Sequence, residues 1–153
     1  MTDPELAVRR YVLSEHMETV TSLLRCADSV AESWNNEATA DGTNATTDGE
    51  RSTTDREAVV EPFSHELRES GLLAEFPTIL SGAVSAGGFS MQATPVPAPP
   101  YVAITTRGPV LRATVSAGRL VISFRVFDVV RDDKVRYVRG ADDPETAVSV
   151  ELK

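Results

Sequence analysis

The last third of the chain leaves the fewest options. Residues 101–107, 110–116, 119–131 and 134–139 are runs rich in β-branched residues, separated by Gly108-Pro109, Ala117-Gly118 and Asp132-Asp133. Such runs joined by two-residue turns predict antiparallel hairpins. A two-residue turn fixes register, and register fixes which alternating side chains share a face. Read that way, Val102, Ile104, Leu111, Ala113, Val115, Leu120, Ile122, Phe124, Val126, Val130 and Val135 fall on one face. Residues 146–152 (TAVSVEL) add a further strand. A sheet with one apolar face needs a cover, and the rest of the chain must supply it.

The N-terminal segment is one candidate cover. Leu6, Leu13, Met17, Val20, Leu24, Ala27, Ala31 and Trp34 recur at seven, then alternating four and three residues, which predicts one long helix over 4–34 with a heptad seam. Thr2 or Asp3 caps its start, and Pro4 suits the first turn. Cys26 falls on its polar face. A helix of that length, roughly 45 Å at 1.5 Å per residue, must bury its stripe. Arg10 interrupts the seam and the alanines thin it, so packing within the chain is favoured over a homodimeric coiled coil through residues 6–34.

From Asn35 to Thr54 the chain contains no Val, Ile, Leu, Met or aromatic residue, which predicts a flexible acidic linker. Asn44-Ala45-Thr46 matches a glycosylation sequon by chance composition. Thr54 and Glu57 form a capping-box pattern, and Val60, Phe63 and Leu67 keep helical spacing despite Pro62. Gly71 suits a helix end, and Pro77 opens a second short helix reaching Gly87-Gly88. Pro95 to Pro100 is an extended spacer. The predicted organisation is therefore a long helix (1–34), a linker (35–54) and an α+β body (55–153). In that body, helices within 55–86 pack on an antiparallel meander of four to six strands spanning about 89–152.

Chemistry-bearing residues are few. The 153 residues include two histidines, His16 and His65, and one cysteine, which excludes an internal disulfide framework or a multi-cysteine zinc site. His65 lies between Ser64 and Glu66, and adjacent helix residues point apart. No catalytic set, metal site or cofactor is expected. The same hairpin register places Arg107, Arg112, Arg119, Arg125, Arg131 and Arg136, with Lys134, on the sheet's outer face. Residues 107–139 carry a net charge of +5 in a chain whose total is −8. That face is the candidate binding surface for an anion, nucleic acid or an acidic protein. Nucleic acid is less favoured, because only Phe127 and Tyr101 are available for stacking. Asp128 falls on the inner face opposite Tyr137 and diagonal to Arg139, a predicted buried polar cluster of structural character.

Thirteen Arg against two Lys, 23 acidic residues and 19 Val against three Ile give the chain a composition that resembles small acidic cytoplasmic proteins of haloarchaea. The resemblance implies a protein kept dispersed by charge in a salt-rich cytoplasm. No stretch approaches the ~20 apolar residues of a membrane span, and MTDPELAVRRYVLSEHM has no uninterrupted apolar core, so a cytoplasmic location is expected. The favoured function is non-enzymatic: interaction with another protein or with itself through the seam helix. Nucleic-acid or anion binding by the arginine face, and a small-molecule pocket between helices and sheet near Asp128, are the alternatives.

Overall fold

In a computed structural model of the chain, the backbone is described for residues 3–41, 52–91, 93–131, 135–141 and 143–153, and side chains for the same residues except 35–41. The fold is α+β. Four helices come first apart from one short strand: α1 (Pro4–Glu15), α2 (Met17–Asp41), β1 (Ser52–Thr53), α3 (Glu57–Ser70) and α4 (Leu72–Ala86). Then follow β2 (Val102–Thr105), β3 (Gly108–Val115), β4 (Gly118–Phe124), β5 (Phe127–Arg131), β6 (Val135–Arg139), α5 (Pro144–Ala147) and β7 (Val148–Leu152). Two antiparallel sheets result, one ordered β2-β3-β4-β7 and the other β1-β6-β5.

The predicted single N-terminal helix is broken at His16, whose backbone leaves the helical region (φ −127°, ψ 29°). The ring stays beside the break, with Nε2 3.0 Å from the Tyr11 hydroxyl. The break turns the seam. In α1 the buried residues are Val8 and Val12, while Leu6 is exposed; in α2 they include Val20, Leu23, Leu24, Ala27, Val30, Ala31 and Trp34, with Met17 exposed. The α2 stripe is therefore buried within the chain, as the thin seam favoured. Cys26, expected on a polar face, is also buried. Asp3 caps α1 by accepting a hydrogen bond from the Glu5 N–H.

The expected linker is corrected at both ends. Helix α2 continues to Asp41, and Ser52 and Thr53 pair with Val138 and Tyr137 on β6. The glycosylation-like Asn44 lies outside the described residues. The capping box at Thr54 does not form: Asp55 caps instead, its carboxylate accepting from the Glu57 N–H. Pro62 and Pro77 both sit inside continuous helices, and α4 starts at Leu72 rather than at Pro77. Gly71 ends α3 with φ 84°, the left-handed conformation expected of a helix-terminal glycine.

The first two hairpins keep the expected faces but not the expected turns. Thr106-Arg107 and Ser116-Ala117 are the turn centres, and Gly108 and Gly118 open the following strands with φ of 136° and 139°. The glycines supply the positive φ where each turn hands the chain to a strand. Both pairings shift by an even number of residues, so no side chain changes sides. Val102, Leu111, Ala113, Val115, Leu120, Ile122, Phe124 and Val126 are accordingly buried.

The third hairpin differs more. The expected strand 119–131 divides at Arg125-Val126, where the chain leaves one sheet for the other. The Val126 and Phe127 N–H groups both donate to the Arg107 carbonyl at this corner. Consecutive residues Val126 and Phe127 are both buried, so the alternation is broken there. Arg131 then pairs with Val135, one residue off the two-residue turn, while residues 132–134 lie outside the described residues. Val130 is half-buried and Val135 exposed, contrary to their expected inward placement.

One hydrophobic cluster joins helices and both sheets. Trp34 and Phe63 both pack on Phe127, with ring centroids at 5.5 and 5.1 Å, and Phe76 stacks on Phe124 at 6.0 Å. The Trp34 indole N–H donates to the Ala58 carbonyl at 3.0 Å, giving its polar edge a partner.

Candidate functional groove on the arginine face

The six arginines of the expected outer face do not form one surface. Arg107 occupies the first turn and meets Asp128 at 3.6 Å. Arg125 lies at the corner between the sheets, its N–H bonded to the Ala147 carbonyl. Arg131 and Arg136 belong to the smaller sheet. Arg131 shares a face with its partner Val135, so neighbouring Arg136 points to the other face. Arg136 is half-buried. The corner at Arg125-Val126 dispersed these residues, because their common face assumed an unbroken strand.

Arg112 and Arg119 are brought together. Arg112 opposes Val121 and Thr114 opposes Arg119, so the two arginines are diagonal neighbours on the exposed face of β3 and β4. They flank a groove of about 560 Å³, within the size range of ligand clefts, roughly 300–1,000 Å³. Ser90, Met91, Pro100 and Tyr101 form its other wall, and residues 112–116 of β3 and its turn form its floor. Neither arginine has a carboxylate partner among the described residues, and no Asp or Glu lines the groove there. A shallower depression continues from Thr114 and Arg119 to Gly118 and Lys153, whose ammonium pairs with Glu151 at 3.7 Å.

The groove exists because β2 is shorter than β3. The ladder starts at Val102 opposite Leu111, and one more bond runs from the Arg112 N–H to the Tyr101 carbonyl. Residues 113–115 have β4 on one side only. Hydrogen bonding alternates along an antiparallel strand, so Thr114, like Arg112, turns its N–H and C=O away from β4. Those two groups face the groove and have no partner among the described residues. Sequence reasoning identified Arg112 and Arg119 but missed the opposite wall and the open strand edge. The only sequence signal for the edge was the polar and proline-rich text before Tyr101, too irregular to extend β2 along all of β3.

The predicted cluster of Asp128, Tyr137 and Arg139 is corrected. Asp128 is exposed and opposes Val138, because the one-residue slip moved Tyr137 opposite Val129. Arg139 instead opposes Phe127 and binds Asp28 of α2 at 2.8 Å, with further bonds to the carbonyls of Val126 and Ala141. Phe127, expected to point outward, fills the space beside them with Trp34 and Phe63. Cys26 is held against Ser70 near Glu66, and burial pushes its thiol pKa up. His65 is exposed. Among the described residues no group of three or more His, Cys, Asp or Glu side chains is placed to hold a metal ion, and no helix is long and apolar enough to cross a membrane.

The fold is thus a helical layer on two small antiparallel sheets, with a cationic groove at the end of the larger one. Residues 6–153 match the model of a family described as a domain of unknown function, DUF7988, and the chain belongs to that family. No curated protein and no solved structure matches the chain.

Proposed function

We propose that this chain is a non-enzymatic binding module that engages an anionic protein partner through the groove lined by Arg112 and Arg119. The observation that carries the reading is two neighbouring guanidiniums that have no carboxylate partner among the described residues and line an open groove, in a chain of net charge −8. Arginine in such a setting suits carboxylates, which its planar fork binds through two parallel hydrogen bonds. The seam helix is not used in this reading, because its α2 stripe is buried in the chain's own core. The groove offers one aromatic wall residue, Tyr101, where a nucleic-acid platform uses several. The acidic, arginine-over-lysine composition supports a cytoplasmic, salt-adapted setting.

Fluorescence anisotropy with a labelled oligoglutamate peptide tests the proposal, with a labelled oligothymidylate of equal charge in parallel. The full chain binds the peptide, and Arg112→Glu with Arg119→Glu weakens binding by at least about tenfold, or about 1.4 kcal/mol. Equal affinities for wild type and double variant contradict the proposal. Preference for the oligonucleotide, lost in the same variant, replaces the protein partner with nucleic acid.

A further inference from the structure

We propose, resting on that reading of the groove, that the partner contributes an extended acidic segment which adds as a strand to β3 beside Thr114. The β7 edge of the larger sheet and the stretch of β3 beyond the end of β2 are treated differently by the fold. On the β7 side, α1 closes the edge: the Glu5 carboxylate accepts from the Leu152 N–H at 2.7 Å, and the Arg9 guanidinium donates to the carbonyls of Val148 and Glu145. Side chains thereby block that edge against another strand, a common protection of exposed strands.

On the β3 side no such closure is present among the described residues. Beyond the bond from Arg112 to Tyr101, the Thr114 N–H and C=O face the groove. An N–H and a C=O on one residue of an antiparallel edge match the C=O and N–H of one peptide residue, which is how strand addition recognises main chain. Nucleic acid has no group repeating in that donor–acceptor pattern. The exposed side chains next to Thr114 set the selectivity. Arg112 lies two residues back on the same face, and Arg119 lies directly opposite on β4. Arg112 is on the strand next to the incoming segment and Arg119 one strand further in; both line the groove, where acidic side chains on that face of the segment can reach them. Ala113 and Val115 are buried on the inner face and leave the edge unobstructed.

The occupant is therefore a segment with alternate acidic residues and free backbone amides, not a compact anion. The test compares the oligoglutamate peptide with the same peptide N-methylated at every residue, so that neither strand edge keeps a donor, both titrated against the full wild-type chain. N-methylation removes the donors without changing the charge. Strand addition predicts at least about tenfold weaker binding of the methylated peptide. It also predicts slowed hydrogen exchange of the Thr114 amide on addition of the unmodified peptide. Thr114→Pro, which removes that donor at an edge position where proline is tolerated, weakens the unmodified peptide alone. Equal binding of the two peptides with no protection at Thr114 overturns strand addition and leaves the anionic groove standing. Failure of wild type to bind either peptide overturns both.

Discussion

Arg139 on β6 binds Asp28 on α2 at 2.8 Å, across 111 residues of sequence. The same guanidinium donates to the Val126 carbonyl at the corner between the sheets and to Ala141 at 2.9 Å. One side chain thus ties the second helix to the point where the chain changes sheets. Its side chain is 18% exposed, whereas that of Asp28 is 60% exposed. The carbonyl bonds should therefore matter more than the ion pair. Arg139→Ala takes its donor from the Ala141 carbonyl and leaves the Val126 carbonyl with the Gly140 N–H, and is expected to cost about 2–3 kcal/mol with the ion pair lost as well. Asp28→Ala, which removes only a solvated partner, costs about 1 kcal/mol or less. Urea unfolding of the two variants checks the order, and a larger loss for Asp28→Ala contradicts it.

Gly82 on α4 and Tyr11 on α1 are matched in shape. A Cβ at Gly82 would overlap the Tyr11 hydroxyl oxygen and stand 2.5 Å from Cζ. Gly82→Ala is expected to destabilise by about 1–3 kcal/mol through overpacking, despite the higher helix propensity of alanine. In the background of Tyr11→Ala the same change becomes neutral or favourable. A double-mutant cycle from thermal unfolding supplies the test, and additive effects contradict the contact.

The helical layer is part of the core. A chain beginning at residue 55 lacks Val20, Leu23, Ala27 and Trp34, and so uncovers Phe63 and Phe127. It is expected to aggregate or to lose near-ultraviolet circular dichroism, and a soluble monomer with native spectra contradicts the placement. The point variant Trp34→Ala removes the same anchor with an expected cost of about 3–5 kcal/mol.

Burial raises the pKa of Cys26, with the nearby Glu66 adding to the rise and a hydrogen bond with Ser70 opposing it. Burial, with the charge of Glu15, raises that of Tyr11. In both groups the folded state holds the proton more tightly than the unfolded chain. The associated stability is present below the unfolded pKa values and is lost as pH rises through the folded ones. Stability should fall as pH rises through the ordinary thiol range, where Cys26 ionises first in the unfolded chain, and further through the tyrosine range. At neutral pH a thiol reagent should modify Cys26 slowly in the native chain and rapidly in urea. Equal rates in the two conditions contradict its burial.

The sequence made the faces of β2, β3 and β4 legible, because an even register shift preserves alternation whatever the turn's centre. It could not locate the corner at Arg125-Val126. Both residues sit in β-prone text, and only the bonds from Val126 and Phe127 to the Arg107 carbonyl make the bend. There Val126 and Phe127 both turn inward, which reversed Phe127 and Asp128 and separated the arginines, and the one-residue slip between β5 and β6 then moved Tyr137 away from Asp128. The α2 stripe from Val20 to Trp34 was readable from helical period, but the break at His16 rests on local backbone geometry that no residue pattern announced. Arg112 and Arg119 were legible as exposed cations. Their groove was not, since it arises from where β2 stops.

The most direct measurement follows backbone amide resonances of the full, ¹⁵N-labelled chain as oligoglutamate is added. The groove reading predicts that the largest shifts map to Arg112, Thr114, Ser116 and Arg119, with smaller ones at Ser90 and Tyr101 on the facing wall. Shifts centred instead on Arg107, Arg131 or Arg136, or none at saturating peptide, contradict recognition at this groove.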